Sequence, residues 1–167
     1  MKCIAIIPAR YASTRFPGKP LVEINGKPMV QHVYERAISS ELFKRVIVAT
    51  DDERIQTTVL SFGGEAVMTK SSHQSGTDRC GEAIYGVNES FDVVVNIQGD
   101  EPFIQYEQLE ELVNLFKSTS AQIGTLKKAI SNVDDVFNPN IVKVVSDSDK
   151  RALYFSRNPI PFVRDAE

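Results

Sequence analysis

The 167-residue chain is short of cysteine, of long apolar runs and of basic excess, and each shortage excludes something. Its two cysteines, Cys3 and Cys80, stand far apart in separate apolar stretches, with no spacing that could gather a metal and no disulfide framework. Reduced, buried thiols follow, the state expected of a cytoplasmic protein. No apolar stretch approaches the ~20 residues of a bilayer span, so membrane insertion is not expected. Met1-Lys2 leads straight into the first apolar segment without the pattern of a signal peptide. The formal net charge is -3, whereas a general nucleic-acid binder needs a cationic footprint to release counterions. Two glycine signatures are also missing. No G-x-G-x-x-G follows the first apolar segment, which leaves a dinucleotide fold with little support. Gly18-Lys19 is followed by Pro20 where a Walker loop needs Ser or Thr. Internal repeats, low-complexity tracts and linkers are lacking as well.

What is present is an ordinary globular composition, 42% hydrophobic and 25% charged. The length suffices for one domain that buries roughly 70% of its unfolded surface, and residues 1–167 are read as a single domain. Residues 3–7, 45–50 and 92–97 are uniformly apolar or nearly so, as strands buried on both faces of a parallel sheet are; 65–68 adds a shorter one. Helices are predicted between them. The first starts at Pro28, with Met29, Val33 and Ala37 and the offset Val30, Tyr34 and Ile38 as its stripe. The second follows the acids Asp51-Asp52-Glu53, carries Ile55, Val59 and Phe62, and stops at Gly63-Gly64. The third begins near Thr77-Asp78 with Cys80, Ala83, Ile84 and Val87 inward, and the fourth spans 106–117 around Leu109, Leu112, Val113 and Phe116. Residues 123–130 read as a fifth strand, 133–137 as one helical turn, and 142–146 with 152–156 as a hairpin across Asp147-Ser148-Asp149-Lys150. The alternation predicts an α/β fold. Its mostly parallel sheet is sandwiched by helices and joined by right-handed crossovers, with antiparallel additions near the C-terminal end.

Three polar clusters leave inferred carboxyl ends of strands, the edge at which open α/β sheets bind ligands. Residues 8–20 carry Arg10, Arg15 and Lys19 on a stretch that Pro8, Pro17 and Pro20 keep from being helical. Fixed cations on a stiffened loop suit a polyphosphate, although charge and position alone equally describe a solvated basic loop. His73-Gln74-Ser75-Gly76-Thr77-Asp78-Arg79 opens a helix, where amide donors suit a base or phosphate and where an ordinary N-capped helix start looks the same. Gln98-Gly99-Asp100-Glu101-Pro102 offers a hard oxygen ligand suited to Mg2+ on nucleotide phosphates, or else a Gly-Asp turn capping a helix. Parallel strand ends converge, so the three clusters can share one crevice.

As they stand, residues 6–21 (Ile-Ile-Pro-Ala-Arg-Tyr-Ala-Ser-Thr-Arg-Phe-Pro-Gly-Lys-Pro-Leu) resemble the nucleotide-binding signature of the CMP-sugar-acid synthetases. His-Gln-Ser-Gly-Thr at 73–77 and Gln-Gly-Asp-Glu-Pro at 98–102 are similar to the branch that activates 3-deoxy-D-manno-octulosonate (Kdo) more than to the sialic acid branch. Tyr154-Phe155-Ser156-Arg157 and Pro159-Ile160-Pro161 resemble the family's sugar-acid side. The resemblance covers essentially the whole chain. It implies a Rossmann-like sheet of the nucleotide-diphospho-sugar transferase type. It also implies a cytoplasmic cytidylyltransferase that moves CMP from CTP to the anomeric hydroxyl of Kdo and releases pyrophosphate, for lipopolysaccharide biosynthesis.

The resemblance also implies roles. Arg10, Lys19 and Asp100 would be catalytic, with Mg2+ on Asp100. CTP would meet Pro8, Ala9, Arg10, Arg15 and Lys19 in the first cluster. In the second and third it would meet His73, Ser75, Gly76, Thr77, Arg79 and Gln98. Kdo would meet Gln98, Tyr154 and Arg157, the last because a planar guanidinium suits a carboxylate. A homodimer is implied as well. Because family members are longer, so are a chain lacking its C-terminal portion and a second metal-binding Asp beyond residue 167. Two other readings stand beside this one. A cytidylyltransferase for another sugar acid, such as sialic acid, would differ in turnover with the two sugars. A nucleotide-binding module would bind CTP and release no pyrophosphate.

Overall fold

Alternation along one strand sets the architecture. The computed structural model describes residues 1–12 and 16–161. In chain order its elements are β1 (Cys3–Ala9), a 3-10 turn (Lys19–Leu21), β2 (Glu23–Ile24), β3 (Lys27–Pro28), α1 (Met29–Ser39), β4 (Arg45–Thr50), α2 (Glu53–Ser61), β5 (Ala66–Met68), α3 (Gly76–Tyr85), β6 (Val93–Asn96), α4 (Tyr106–Ser118), α5 (Val133–Phe137), β7 (Lys143–Ser146) and β8 (Ala152–Ser156). They fall into two compact units, residues 1–124 and 125–167.

In the first unit four parallel strands lie in the order β5-β4-β1-β6. Successive side chains of a strand point to opposite faces, and β1 uses both. Cys3, Ala5, Ile7 and Ala9 pack with Val30, Val33 and Ala37 of α1, Ile55 and Val59 of α2, and Leu109 and Val113 of α4. Ile4 and Ile6 pack with Ile47 and Ala49 of β4 and with Cys80 and Ala83 of α3. Two-sided burial is why the run has no polar alternation. The register pairs Ile4–Ala9 with Arg45–Thr50 on one side and Cys3–Ile6 with Val93–Asn96 on the other. The short β2–β3 ribbon turns at Asn25-Gly26, both with positive φ, as a two-residue hairpin requires.

The α-helices and the four strands of the parallel sheet match the predicted pattern, with boundaries shifted by one or two residues, whereas the 3-10 turn and the β2–β3 ribbon were not predicted. Pro28 caps α1 instead of opening it, Ile38 is half-exposed instead of completing the stripe, and the third strand begins at Ala66. One expectation fails: residues 123–130 form no strand. Ile123 is 90% exposed, and β-propensity without a paired neighbour or a face to bury does not hold a segment extended in a ladder. The second unit contains α5 and the antiparallel β7–β8 hairpin, as expected. Both cysteines are buried and unpaired. Burial pushes the thiol pKa of Cys80 up to about 12 and raises that of Cys3. Among the described residues no helix is long and apolar enough to cross a membrane.

Candidate functional site

The site is built around Pro8, at the carboxyl-terminal end of β1. A Cβ on Gly99 would lie 2.9 Å from the Pro8 carbonyl oxygen, and one on Gly76 would lie 3.2 Å from its ring. At both positions the incoming loop runs closer to β1 than a larger residue would comfortably allow. The loops after β1, β5 and β6 thereby meet around a cavity of about 550 Å³.

The loop after β1 contributes Pro8, Ala9, Arg10 and Lys19 to the wall, with Phe16 and Pro20 between and beside them. It closes where the Gly18 N–H donates to the Tyr11 carbonyl at 2.9 Å, with Gly18 at positive φ. Lys19 heads the 3-10 turn, and its ammonium donates to an Asp100 carboxylate oxygen at 2.6 Å. Asp100 reaches the wall from the loop after β6 together with Gln98 and Gly99. The Gln98 side-chain amide donates to Asn96 Oδ1 at 3.3 Å.

The third contribution is the start of α3. Ser75 is the N-cap: its Oγ accepts from the Asp78 amide at 3.1 Å, and the Asp78 carboxylate accepts from the Ser75 amide at 3.2 Å. This capping box fixes the first turn, and His73, Gln74, Ser75 and Gly76 line the cavity. His73 is bonded through Nε2 to Glu82, which also accepts from the Lys70 amide at 2.9 Å. The His73 bond, followed by the Lys70 amide, holds the Glu82 carboxyl below its ordinary range. Arg79 lines the wall although it is only 3% exposed. Its guanidinium donates to Asp51 at 3.0 Å and to the Thr69 hydroxyl, which in turn donates to the Thr50 carbonyl at 3.0 Å. Asp51, expected as a helix-start residue, is therefore the partner of a buried arginine. Asp52 alone caps α2, accepting from the Arg54 amide at 3.0 Å. A buried guanidinium needs its carboxylate, which explains why two adjacent aspartates have different tasks.

Of the residues picked from sequence, Pro8, Ala9, Arg10, Lys19, His73, Ser75, Gly76, Arg79, Gln98 and Asp100 share this one cavity. Thr77 is exposed and is not part of the wall. Arg15 lies outside the described residues. Tyr154 and Arg157 belong to the second unit, where Tyr154 is exposed on β8 and the Arg157 guanidinium donates to the Pro139 carbonyl at 2.9 Å. Phe16, Pro20, Gln74 and Gly99 were missed as wall residues, although each sits beside a residue that was chosen. Glu82 was missed because nothing in its local sequence points at His73. Of the three cations lining the wall, Arg79 is matched by Asp51 and Lys19 by Asp100, so the positive excess comes from Arg10, a balance that favours an anion.

Known proteins resemble the chain throughout. The cytidylyltransferase family model matches residues 4–167. A 3-deoxy-manno-octulosonate cytidylyltransferase of Thermodesulfovibrio yellowstonii is 56% identical over 99% of this chain and 67% of its own. That of Parabacteroides distasonis is 54% identical over 98% of this chain and 66% of its own. A solved structure of a CMP:2-keto-3-deoxy-manno-octonic acid synthetase complexed with CTP matches 99% of this chain and 68% of its own, with a TM-score of 0.92 at 46% identity. The chain thus spans about two thirds of the length of these relatives.

Proposed function

Because the chain belongs to the cytidylyltransferase family, we propose that it binds CTP in the cavity around Pro8 and serves the transfer of CMP to Kdo, with release of pyrophosphate. The observation that carries this is the meeting of Arg10, Lys19 and Asp100 in one wall, where three strand-end loops converge. Both units are taken as parts of one nucleotidyltransferase domain.

In this reading the triphosphate lies along Arg10 and Lys19, and the base lies beside residues 73–79; Arg15 is kept as a CTP residue on its sequence motif alone. The anomeric hydroxyl attacks the α-phosphorus, a new phosphorus–oxygen bond forms, the bond to the β-phosphate oxygen breaks in line, and the hydroxyl proton is released to solvent. Arg10 and Lys19 offset the charge that builds on the departing pyrophosphate. The capping box and the Arg79–Asp51 tie keep the base side rigid, so that binding energy goes into orientation. Gln98, Tyr154 and Arg157 are the residues assigned to Kdo. Asp100 fits a divalent ion: it is a hard oxygen donor, partly exposed, standing 2.6 Å from a cation, so positive charge already suits its position. It would hold Mg2+ with phosphate oxygens and water completing the set, and the ion supplies charge neutralisation on the phosphates when bound. Among the described residues no group of three or more metal-ligating side chains gathers, so most of those oxygens would come from the nucleotide and water. The family likeness extends the reading to a cytoplasmic homodimer that feeds lipopolysaccharide biosynthesis.

Nucleotide titration is the test. CTP should bind and ATP should bind far more weakly, because a pocket built to pair polar edges discriminates by up to ~10⁴. Lys19→Ala should weaken CTP about tenfold or more, since a charge-assisted hydrogen bond contributes roughly 1.5–3 kcal/mol. Equal affinity for ATP and CTP would remove the family chemistry, and an unmoved Lys19→Ala would remove the basic loop from the site. Pyrophosphate release with Kdo and with sialic acid, measured after grafting these residues onto the remaining third of the Thermodesulfovibrio yellowstonii relative, then separates the two sugars.

A further inference from the structure

Arg54 is not among the residues lining the cavity, yet Tyr11 of the basic stretch rests on it. The guanidinium carbon of Arg54 stands 3.3 Å from the centroid of the Tyr11 ring. Its own place is fixed from below. Nε and a terminal nitrogen donate to the two carboxylate oxygens of Asp52 at 2.9 and 2.6 Å, and Asp52 is the N-cap of α2. The Arg54 bond holds the Asp52 carboxyl below its ordinary range, so the carboxylate resists protonation further into acid than a free aspartate does. Beyond the ring comes the loop closure. The Gly18 N–H donates to the Tyr11 carbonyl at 2.9 Å, and a Cβ on Gly18 would lie 3.0 Å from the ring carbon Cε2 of Tyr11. Lys19 follows immediately. A continuous mechanical line therefore runs from the α2 cap through Asp52, Arg54 and Tyr11 to the residue that precedes Lys19.

We propose that Arg54 is a positioning residue: by stacking on Tyr11 it holds the Tyr11–Gly18 contact in place and sets Lys19 for the triphosphate without touching nucleotide itself. The proposal rests on the reading of the cavity as a CTP site. It differs from a stability role. Arg54 is 60% exposed at its side chain, and an exposed ion pair adds little to global stability, whereas a guanidinium on an aromatic face orders whatever carries the ring.

The experiment has a ligand-free arm and a ligand arm, run on the 167-residue chain and on Arg54→Ala, Arg54→Lys, Tyr11→Leu and the Arg54→Ala/Tyr11→Leu double variant. In the first arm, hydrogen exchange of the Gly18 amide is followed without nucleotide. Arg54→Ala should speed it roughly threefold to fivefold, the range expected for losing an exposed cation–π contact, while the amides of residues 4–7 stay unchanged. In the second arm, CTP affinity should fall by a similar factor and CMP affinity by less than about twofold, because only the outer phosphates depend on the loop. Tyr11→Leu should reproduce both effects, the double variant should be no worse than the worse single one, and Arg54→Lys should recover most of the loss.

Unchanged Gly18 exchange in Arg54→Ala would overturn the proposal. So would a CTP loss in Arg54→Ala that Tyr11→Leu does not share, since Arg54 would then meet phosphate directly, or an equal loss for CMP and CTP. If Gly18 exchange responds as expected but the unaltered chain binds no CTP, the loop support stands and the nucleotide reading is what fails.

Discussion

The two units make strands from opposite materials. In the first, β1 and β4 are apolar on both faces, and Ile4, Ile6, Ile7 and Val48 are wholly removed from solvent. In the second, β8 is exposed along nearly its whole length, with Leu153 67% exposed and Tyr154 and Phe155 open as well. Beside the β7–β8 ladder, the described part of the second unit is tied together by a buried ammonium. Lys143 is 2% exposed and donates to the carbonyls of Asn138, Ile141 and Arg157 at 2.8, 2.8 and 2.6 Å, while the Arg157 guanidinium reaches back to the Pro139 carbonyl. Burial of apolar area dominates the first unit; in the second, the hairpin ladder is joined by a buried cation satisfied by main-chain oxygens. The difference teaches that strands alike in a topology diagram are vulnerable to different substitutions.

The comparison can be broken at its strongest point first. Ile6→Ala empties a site walled by both a strand and a helix and should destabilise the first unit by about 2–5 kcal/mol, read from the urea midpoint of a probe within residues 1–124. Lys143→Met keeps the stem and leaves three carbonyls short of a donor. It should loosen the second unit by about 1–3 kcal/mol, seen as faster amide exchange over residues 143–146 and 152–156 with the first unit's midpoint unmoved. A shift of that midpoint equal to the loss in the hairpin would dissolve the distinction. Leu153→Ala, although it removes a large apolar side chain from a strand, should change stability by less than about 0.5 kcal/mol, and a loss as large as that of Ile6→Ala would mean that β8 is covered.

The smallest effect concerns pH. Bonds from His73 and the Lys70 amide depress the Glu82 pKa in the folded state. Its contribution is therefore present above the unfolded carboxyl range of about 4.3 and is lost as pH falls through the folded value. Glu82→Gln should flatten the acid limb of thermal stability below about pH 4 and leave the curve near neutrality in place. Identical acid limbs would show that the His73 tie does not hold the loop.

Much of this was legible in the sequence because two-sided burial writes a plain signal. Uninterrupted apolar runs located β1, β4 and β6, proline and glycine located the loops between them, and the rule that parallel strand ends converge brought Arg10, His73 and Asp100 into one cavity. What stayed illegible depends on partners far along the chain. Asp51 and Asp52 are adjacent and identical, and only the fold gives one to Arg79 and the other to the α2 cap. Residues 123–130 have the composition of a strand but pair with no strand in the described structure, because strand character is a property of the neighbours. Lys143, read as an ordinary strand residue, is a buried cation whose three acceptors are main-chain atoms, and main-chain acceptors carry no residue-type signal.

Pro8 lies in an early strand, while the two glycines that close on it arrive at positions 76 and 99. A chain leaving the ribosome therefore carries β1 without its first neighbour until residues 45–50 emerge and without its second until 93–96. Closing loops of that length is entropically slow, and the apolar run waits exposed in the meantime. The cavity is completed only when Gly99 settles against Pro8. Ligand binding stabilises a chain by mass action only on the state that binds, so the nucleotide proposed for this cavity would protect the finished unit and offer nothing to the growing one.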